Sequence, residues 1–325
     1  MRMPDRLSPS ALGKWESDRE AFYVHYLAST KPIYEPQTEA MAVGSAFDAY
    51  VKAALHKDLF GEGSDPAYEL DALMESQVEE HVRDWARTAG RHVFNCYKYT
   101  GAYDELLVEL GQAGEPPQFE FDATGEVGGV PLKGKPDCRF IHASGAHVML
   151  DWKVSGYCSK RTTSPKKLYA MVRDGQDMLK PSRNNGNPHK DYKPKFFKGL
   201  TIGSHYLEEA NKDWADQLAI YGWMAGEEPG TVDMVARIDQ ITAKPADPMP
   251  LLRVANQRAR ISQGWQLDLV KRLQDCWRTI CSGHIFTDRT REESDARCEV
   301  LDMVVEDMRE DDDPIWQGLK GGYRR

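Results

Sequence analysis

Two short apolar runs, joined by a turn and closed by charge, constrain this chain more than any other feature. Cys138-Arg139-Phe140-Ile141 and His147 to Trp152 have the make-up of strands, and Ala143-Ser144-Gly145 between them that of a turn. Val148, Met149 and Leu150 are consecutive, the pattern of a strand buried on both faces. Asp137 stands at the start of the first strand and Asp151 near the end of the second, with Lys153 two residues further on. Alternation along a strand puts Asp151 and Lys153 on one face. Two carboxylates and an amine at a sheet edge can hold a divalent cation beside a proton-accepting or charge-stabilising group. The plain alternative is a surface hairpin with a solvated salt bridge, which would contribute little. Charges closing a buried strand weigh against that, because such positions are costly without a role.

Pro136-Asp137 followed by Asp151-Trp152-Lys153 resembles the signature of the PD-(D/E)XK nucleases, and Asp151 to Gly156 is most similar to their RecB-type exonuclease branch. The resemblance implies an α/β fold: a mixed central sheet flanked by helices, a restriction-endonuclease-like core with helical N- and C-terminal additions. It implies that Asp137, Asp151 and the Trp152 backbone carbonyl hold one or two Mg²⁺ or Mn²⁺ ions. Lys153 would orient or deprotonate a water, or stabilise developing charge; the sequence leaves these roles open.

Three further segments bear on the same site. Gly44-x-x-x-Asp48 is similar to the branch's Gly-x-x-x-His, whose histidine contacts metal, and Asp48 in that place is a harder ligand suited to Mg²⁺ or Mn²⁺. A capping or surface aspartate is the other reading. Glu120, in the alternating run Gln118 to Phe121, either reaches the metal, as a glutamate before the hairpin does in several relatives, or faces solvent. Gln217 and Tyr221 lie four apart and so on one helix face. They are similar to the branch's Gln-x-x-x-Tyr, which sits near the metal and the DNA strand. The opening Ser8-Pro9-Ser10-Ala11-Leu12 also resembles the branch, with Ser8 as a helix cap and Pro9 in the first turn. Some relatives carry an iron–sulfur cluster. Here no cysteine precedes Cys96 and no tight C-terminal cysteine group exists, so no cluster is expected, and Cys276 and Cys281 read as small buried helix residues.

Net charge is −9, which disfavours a polyanionic partner until its distribution is considered. Between Lys160 and Lys198 eleven basic residues face Asp174, Asp177 and Asp191, so that segment carries +8 and the remainder −17. Local fields, not totals, steer a polyanion. Lys160, Arg161, Lys166, Lys167, Lys193, Lys195 and Lys198, interleaved with Tyr169, Tyr192, Phe196 and Phe197, suit phosphates and unpaired bases. A solvated loop pinned by its aromatics is the competing reading. His189 and His205 are too far apart, with too few partners, to argue for zinc.

The chain reads as one domain over 1–325 with a basic insertion at 157–213. Helix is expected from Gly44-Ser45 onward, from Asp71 to Leu107 with a break near Thr88-Ala89-Gly90, from Asp213 to Met224, and from Ile261 to Ser282 with Leu267, Val270, Leu273 and Trp277 inward. Strands are expected at 118–121, 232–238 and 251–254, and a solvated acidic run from Glu306 to Asp313. Six scattered cysteines suit a reducing compartment, no apolar run reaches the length of a membrane span, and the opening residues lack the apolar core of a secretion signal. The expectation is a cytoplasmic protein of a bacterial cell or phage-infected host. Its expected activity is a metal-dependent DNA nuclease, an exonuclease above all, in DNA processing or recombination, with a recombination or single-strand-binding protein as a further partner. Two rivals remain at this point: a catalytically inactive DNA-binding or recombination-partner protein with the same fold, and a scaffold whose basic insertion docks on an acidic protein.

Overall fold

The computed structural model describes residues 1–32, 34–159, 195–197, 206–245 and 250–311. Lys160, Arg161, Lys166, Lys167, Lys193 and Lys198 lie outside the described residues, and Lys195 is described only as strand backbone. The helices are α1 (Pro9–Ser17), α2 (Arg19–Phe22), α3 (Glu39–Phe60), α4 (Leu70–Gln77), α5 (Glu80–Tyr99), α6 (Ala102–Gly111), α7 (Leu207–Ala210), α8 (Lys212–Met224), α9 (Gln263–Ser282) and α10 (Arg291–Asp311). The strands are β1 (Gln118–Phe119), β2 (Ala123–Val127), β3 (Val130–Gly134), β4 (Cys138–Ile141), β5 (His147–Ser155), β6 (Lys195–Phe197), β7 (Met234–Lys244) and β8 (Leu251–Ile261).

Among the described residues, six strands form a mixed sheet in the order β1-β4-β5-β7-β8-β6. β5 pairs in parallel with β7 and β6 with β8, while the remaining pairs are antiparallel. The register aligns Ser155, Thr242, Arg253 and Lys195 as one row across four strands. β2 and β3 form a separate hairpin.

Alternation along β5 explains why its apolar run is unbroken. Met149 joins an apolar layer with α1, α8 and α9, through residues such as Leu12, Leu218 and Leu273. Val148, Leu150 and Trp152 join the opposite layer with α3, α5 and α6, through Phe47, Val93 and Leu106. Helices therefore cover both faces, which is the arrangement a buried strand requires.

Several boundaries differ from expectation. α3 begins at Glu39 under a cap from Thr38, whose hydroxyl accepts from the Met41 amide at 3.3 Å, and it runs straight through Gly44 and Ser45. The break in the following helices falls at Val78-Glu79 and at Thr100-Gly101, not at Gly90. Gly90 is a packing residue: a Cβ there would lie 2.6 Å from the Ala46 Cβ, so its bare backbone lets α5 cross α3 closely. β1 stops at Phe119 because Glu120 takes a left-handed conformation with φ 45°. The inward face of α9 is shifted toward Gln266, Leu269, Leu273, Cys276 and Ile280, leaving Leu267 and Cys281 exposed. β7 and β8 are longer than expected, and most of the acidic run continues α10 as far as Asp311.

Candidate active site

The hairpin β4–β5 builds the centre. Cys138 pairs with Leu150, so Asp137, one residue before β4, comes beside the Asp151–Trp152 peptide. Its Oδ2 accepts a hydrogen bond from the Trp152 amide at 3.0 Å. Asp151 is only 4 % exposed, and its Oδ2 lies 2.6 Å from the Lys153 ammonium. Lys153 follows on the same face and reaches partway to solvent, its side chain 27 % exposed.

The helix α8 lies over this face. Asn211 caps it by accepting from the Trp214 amide at 3.1 Å, which sets the phase that turns Gln217 and Tyr221 toward β5. Lys153 donates to Gln217 Oε1 at 3.0 Å; the Gln217 amide donates to the Tyr221 hydroxyl at 3.2 Å and lies 3.5 Å from Asp151 Oδ1. Gly134, at the end of β3, is required here. A Cβ at that position would sit 2.4 Å from the Tyr221 ring.

α3 approaches from the other side and brings Asp48. That carboxylate is not a surface cap: it lies against the Lys52 ammonium at 2.5 Å, one helical turn away, and its Oδ1 is buried with no hydrogen-bond partner. Lys52 is 1 % exposed and also contacts Glu120 Oε2 at 3.1 Å. Glu120 is drawn away from solvent as well. Lys135 contacts its Oε1 at 2.5 Å, and the Gln77 amide donates to Oε2. Reasoning on the sequence missed Lys52, although the signal was present as Asp48-x-x-x-Lys52 inside the stripe of Phe47, Val51 and Leu55.

Electrostatics join the two halves. Burial pushes the Asp151 carboxyl up to about 7, opposed by Lys153 and reinforced by Asp137. Burial likewise raises Asp48 to about 7, opposed by Lys52, with Asp137 and Glu120 adding like-charge repulsion. Burial works to lower Lys153, yet Asp151 and Asp137 hold it above the ordinary lysine value. Glu120 also suffers burial, but Lys52 and Lys135 keep it below the usual carboxylate range. Asp48, Glu120, Asp137 and Asp151 together face Lys52, Lys135 and Lys153, so formal charge is one positive unit short.

Among the described residues, no three His, Cys, Asp or Glu side chains are already drawn into a metal cage. Asp137, Asp151 and the unpartnered Oδ1 of Asp48 nevertheless fit a hard cation: all are oxygen donors, they repel one another, and one is buried without a partner. These residues would hold it.

No helix among the described residues is long and apolar enough to cross a membrane. Comparison with known proteins places the chain more firmly than its site alone. No curated protein matches the sequence. A candidate exonuclease from Eubacterium rectale has a solved structure with 14 % identity and TM-score 0.41, covering 86 % of this chain and 82 % of its own. The structure of SSO0001 gives 11 % identity and TM-score 0.26, with coverages of 83 % and 84 %. Both likenesses are too distant to carry weight. The sequence model of the PD-(D/E)XK nuclease superfamily matches residues 6–176, from the lead-in to α1 through β5 and beyond. That match spans Asp48, Glu120 and the hairpin with Asp137, Asp151 and Lys153, and it covers more than half of the chain, which therefore belongs to the PD-(D/E)XK nuclease superfamily.

Proposed function

We propose that this protein is a Mg²⁺- or Mn²⁺-dependent deoxyribonuclease that digests DNA from its ends during processing or recombination, acting in the cytoplasm as a single domain with a basic insertion at 157–213. The observation that carries this reading is the convergence of Asp137, Asp151, Lys153, Gln217 and Tyr221 on one face at the end of β5. Asp137, Asp151, Asp48 and the Trp152 carbonyl are the proposed ligands. A bound divalent ion would supply Lewis-acid stabilisation of the phosphate and a more acidic water.

The chain's own residues do the rest. The Lys153 ammonium, held by Asp151 and Gln217, presents a fixed positive charge where a phosphoryl oxygen becomes more negative. The ion pair with Asp151 and the bond to Gln217 suit Lys153 to stabilising charge on the phosphate. Gln217 orients that ammonium, and Tyr221 fixes Gln217. The basic residues from Lys160 to Lys198 supply sequence-independent grip on phosphates.

Labelled linear and circular DNA incubated with Mn²⁺ or with a chelator tests the reading. Loss of linear DNA with Mn²⁺ alone, circular DNA surviving, is the expected result. Lys153→Ala should lower cleavage by roughly 10²–10⁴-fold while DNA binding persists. Normal cleavage by that variant sinks the assignment, and DNA binding without any metal-dependent product would mark an inactive member of the fold.

A further inference from the structure

We propose that Lys52 is a built-in cation standing where a second divalent ion would otherwise sit, so that the centre binds one metal ion and not two. The inference rests on the nuclease reading above and assigns its metal stoichiometry.

Two-metal sites that cleave phosphodiesters need a carboxylate bridging ions about 3.5–4 Å apart, plus separate oxygen ligands on each outer side. Asp137 is the bridging candidate, since it stands just before β4 beside the Asp151–Trp152 peptide, where its Oδ2 accepts from the Trp152 amide. The outer ligands for a second ion would be Asp48 and Glu120. Both are taken. The Lys52 ammonium lies 2.5 Å from Asp48 Oδ2 and 3.1 Å from Glu120 Oε2, and Lys135 holds the remaining Glu120 oxygen.

Lys52 is also poorly able to leave. Its side chain is 1 % exposed on a helix packed against α4 and α5, and it is held between Asp48 and Glu120. Expelling it would leave Asp48 and Glu120, both largely withdrawn from solvent, without their shared partner, and removing one partner of a buried charge group is strongly destabilising. Charge counting agrees. Four carboxylates against three ammoniums leave a deficit that one divalent ion more than covers, while two ions would leave an excess of three positive charges. The one Asp48 oxygen that Lys52 does not use is the buried unpartnered Oδ1, which leaves a single donor from α3 for a single ion.

Mn²⁺ titrated into the metal-free full chain, with bound and free ion separated by electron paramagnetic resonance, reads the stoichiometry directly. Sites that persist in Asp151→Asn are subtracted as surface binding. The unaltered chain should bind one Mn²⁺ with a mononuclear spectrum, and Lys52→Arg should do the same. Lys52→Met keeps the length and removes the charge; it should gain a second Mn²⁺ with the spectrum of an exchange-coupled pair. Two ions in the unaltered chain, or one ion in a folded Lys52→Met, overturns the inference and leaves the nuclease reading intact. No specific Mn²⁺ in the unaltered chain overturns both. Should Lys52→Met fail to fold, the stoichiometry of the unaltered chain decides.

Discussion

Two ionic clusters sit on opposite faces of the central sheet, one residue apart in register, and only one of them is finished. On the face covered by α5 and α6, Arg237 is 1 % exposed and grips Asp239 through Nε and Nη2, each at 3.0 Å. Its Nη1 donates to Glu109, Arg258 reaches the same carboxylate at 2.6 Å, and the Tyr97 hydroxyl donates to Asp239. Two acids meet two guanidinium groups, and each Asp239 oxygen has a partner. On the other face, Asp151 lies one step along from Trp152, the residue that pairs with Asp239. There the carboxylates outnumber the ammoniums and an Asp48 oxygen is left over. A saturated buried cluster fixes a fold; an unsaturated one leaves room for an added cation.

Substitution of Arg237 should have the largest effect on stability. Arg237→Met leaves Asp239 and Glu109 buried without their main partner and should cost roughly 3–5 kcal/mol in chemical denaturation. Mn²⁺ stoichiometry in whatever remains folded should be unchanged. A loss of metal binding at full stability would show that the two faces do not divide the work in this way.

The pH dependence of the metal-free chain sharpens the contrast. Asp48 and Asp151 have folded-state values raised to about 7, so between ordinary carboxylate pH and neutrality the folded chain keeps protons that the unfolded chain has released. Stability is therefore greatest at low pH within this window and falls as pH rises through about 7. The decline attributable to these groups should be roughly 1–3 kcal/mol, smaller in Asp48→Asn, and reversed by added Mg²⁺. Thermal melts at pH 5 and pH 8 measure it; equal slopes for Asp48→Asn and the unaltered chain would count against a strained centre.

The smallest effect is expected at Gly134. Gly134→Ala places a methyl group against the Tyr221 ring, which must move and release Gln217. The KM for DNA should rise several-fold with a stability cost of about 1–2 kcal/mol. An unchanged KM would mean that Tyr221 plays no part in seating the strand.

Most of the sheet could be read in advance because strand signals here are local: the hairpin β4–β5 has an apolar run, a turn and a closing charge in one short stretch. The shared face of Asp151 and Lys153 followed from alternation alone. What escaped depended on contacts between distant segments. Gly90 reads as a helix breaker in isolation and is instead the point where α5 meets Ala46. Glu120 sits in an alternating run, yet its positive φ ends the strand and turns its side chain to Lys52 and Lys135. Lys52 was hidden for a related reason. A lysine one turn after an aspartate usually signals a solvated pair, and only the packing of α3 shows it to be buried. The Arg237 cluster left no local signature, since its members come from α5, α6, β7 and β8.

The row Ser155, Thr242, Arg253, Lys195 has a geometric corollary. Three strand spacings, about 14 Å, separate the point where the backbone departs after Ser155 from the point where it re-enters at Lys195. Both anchorages belong to the same rim, just past Lys153. Residues 156–194 are thus a doubly tethered length of chain, and tethering sets a local concentration. The basic segment therefore leaves and rejoins the sheet at the rim that carries Lys153.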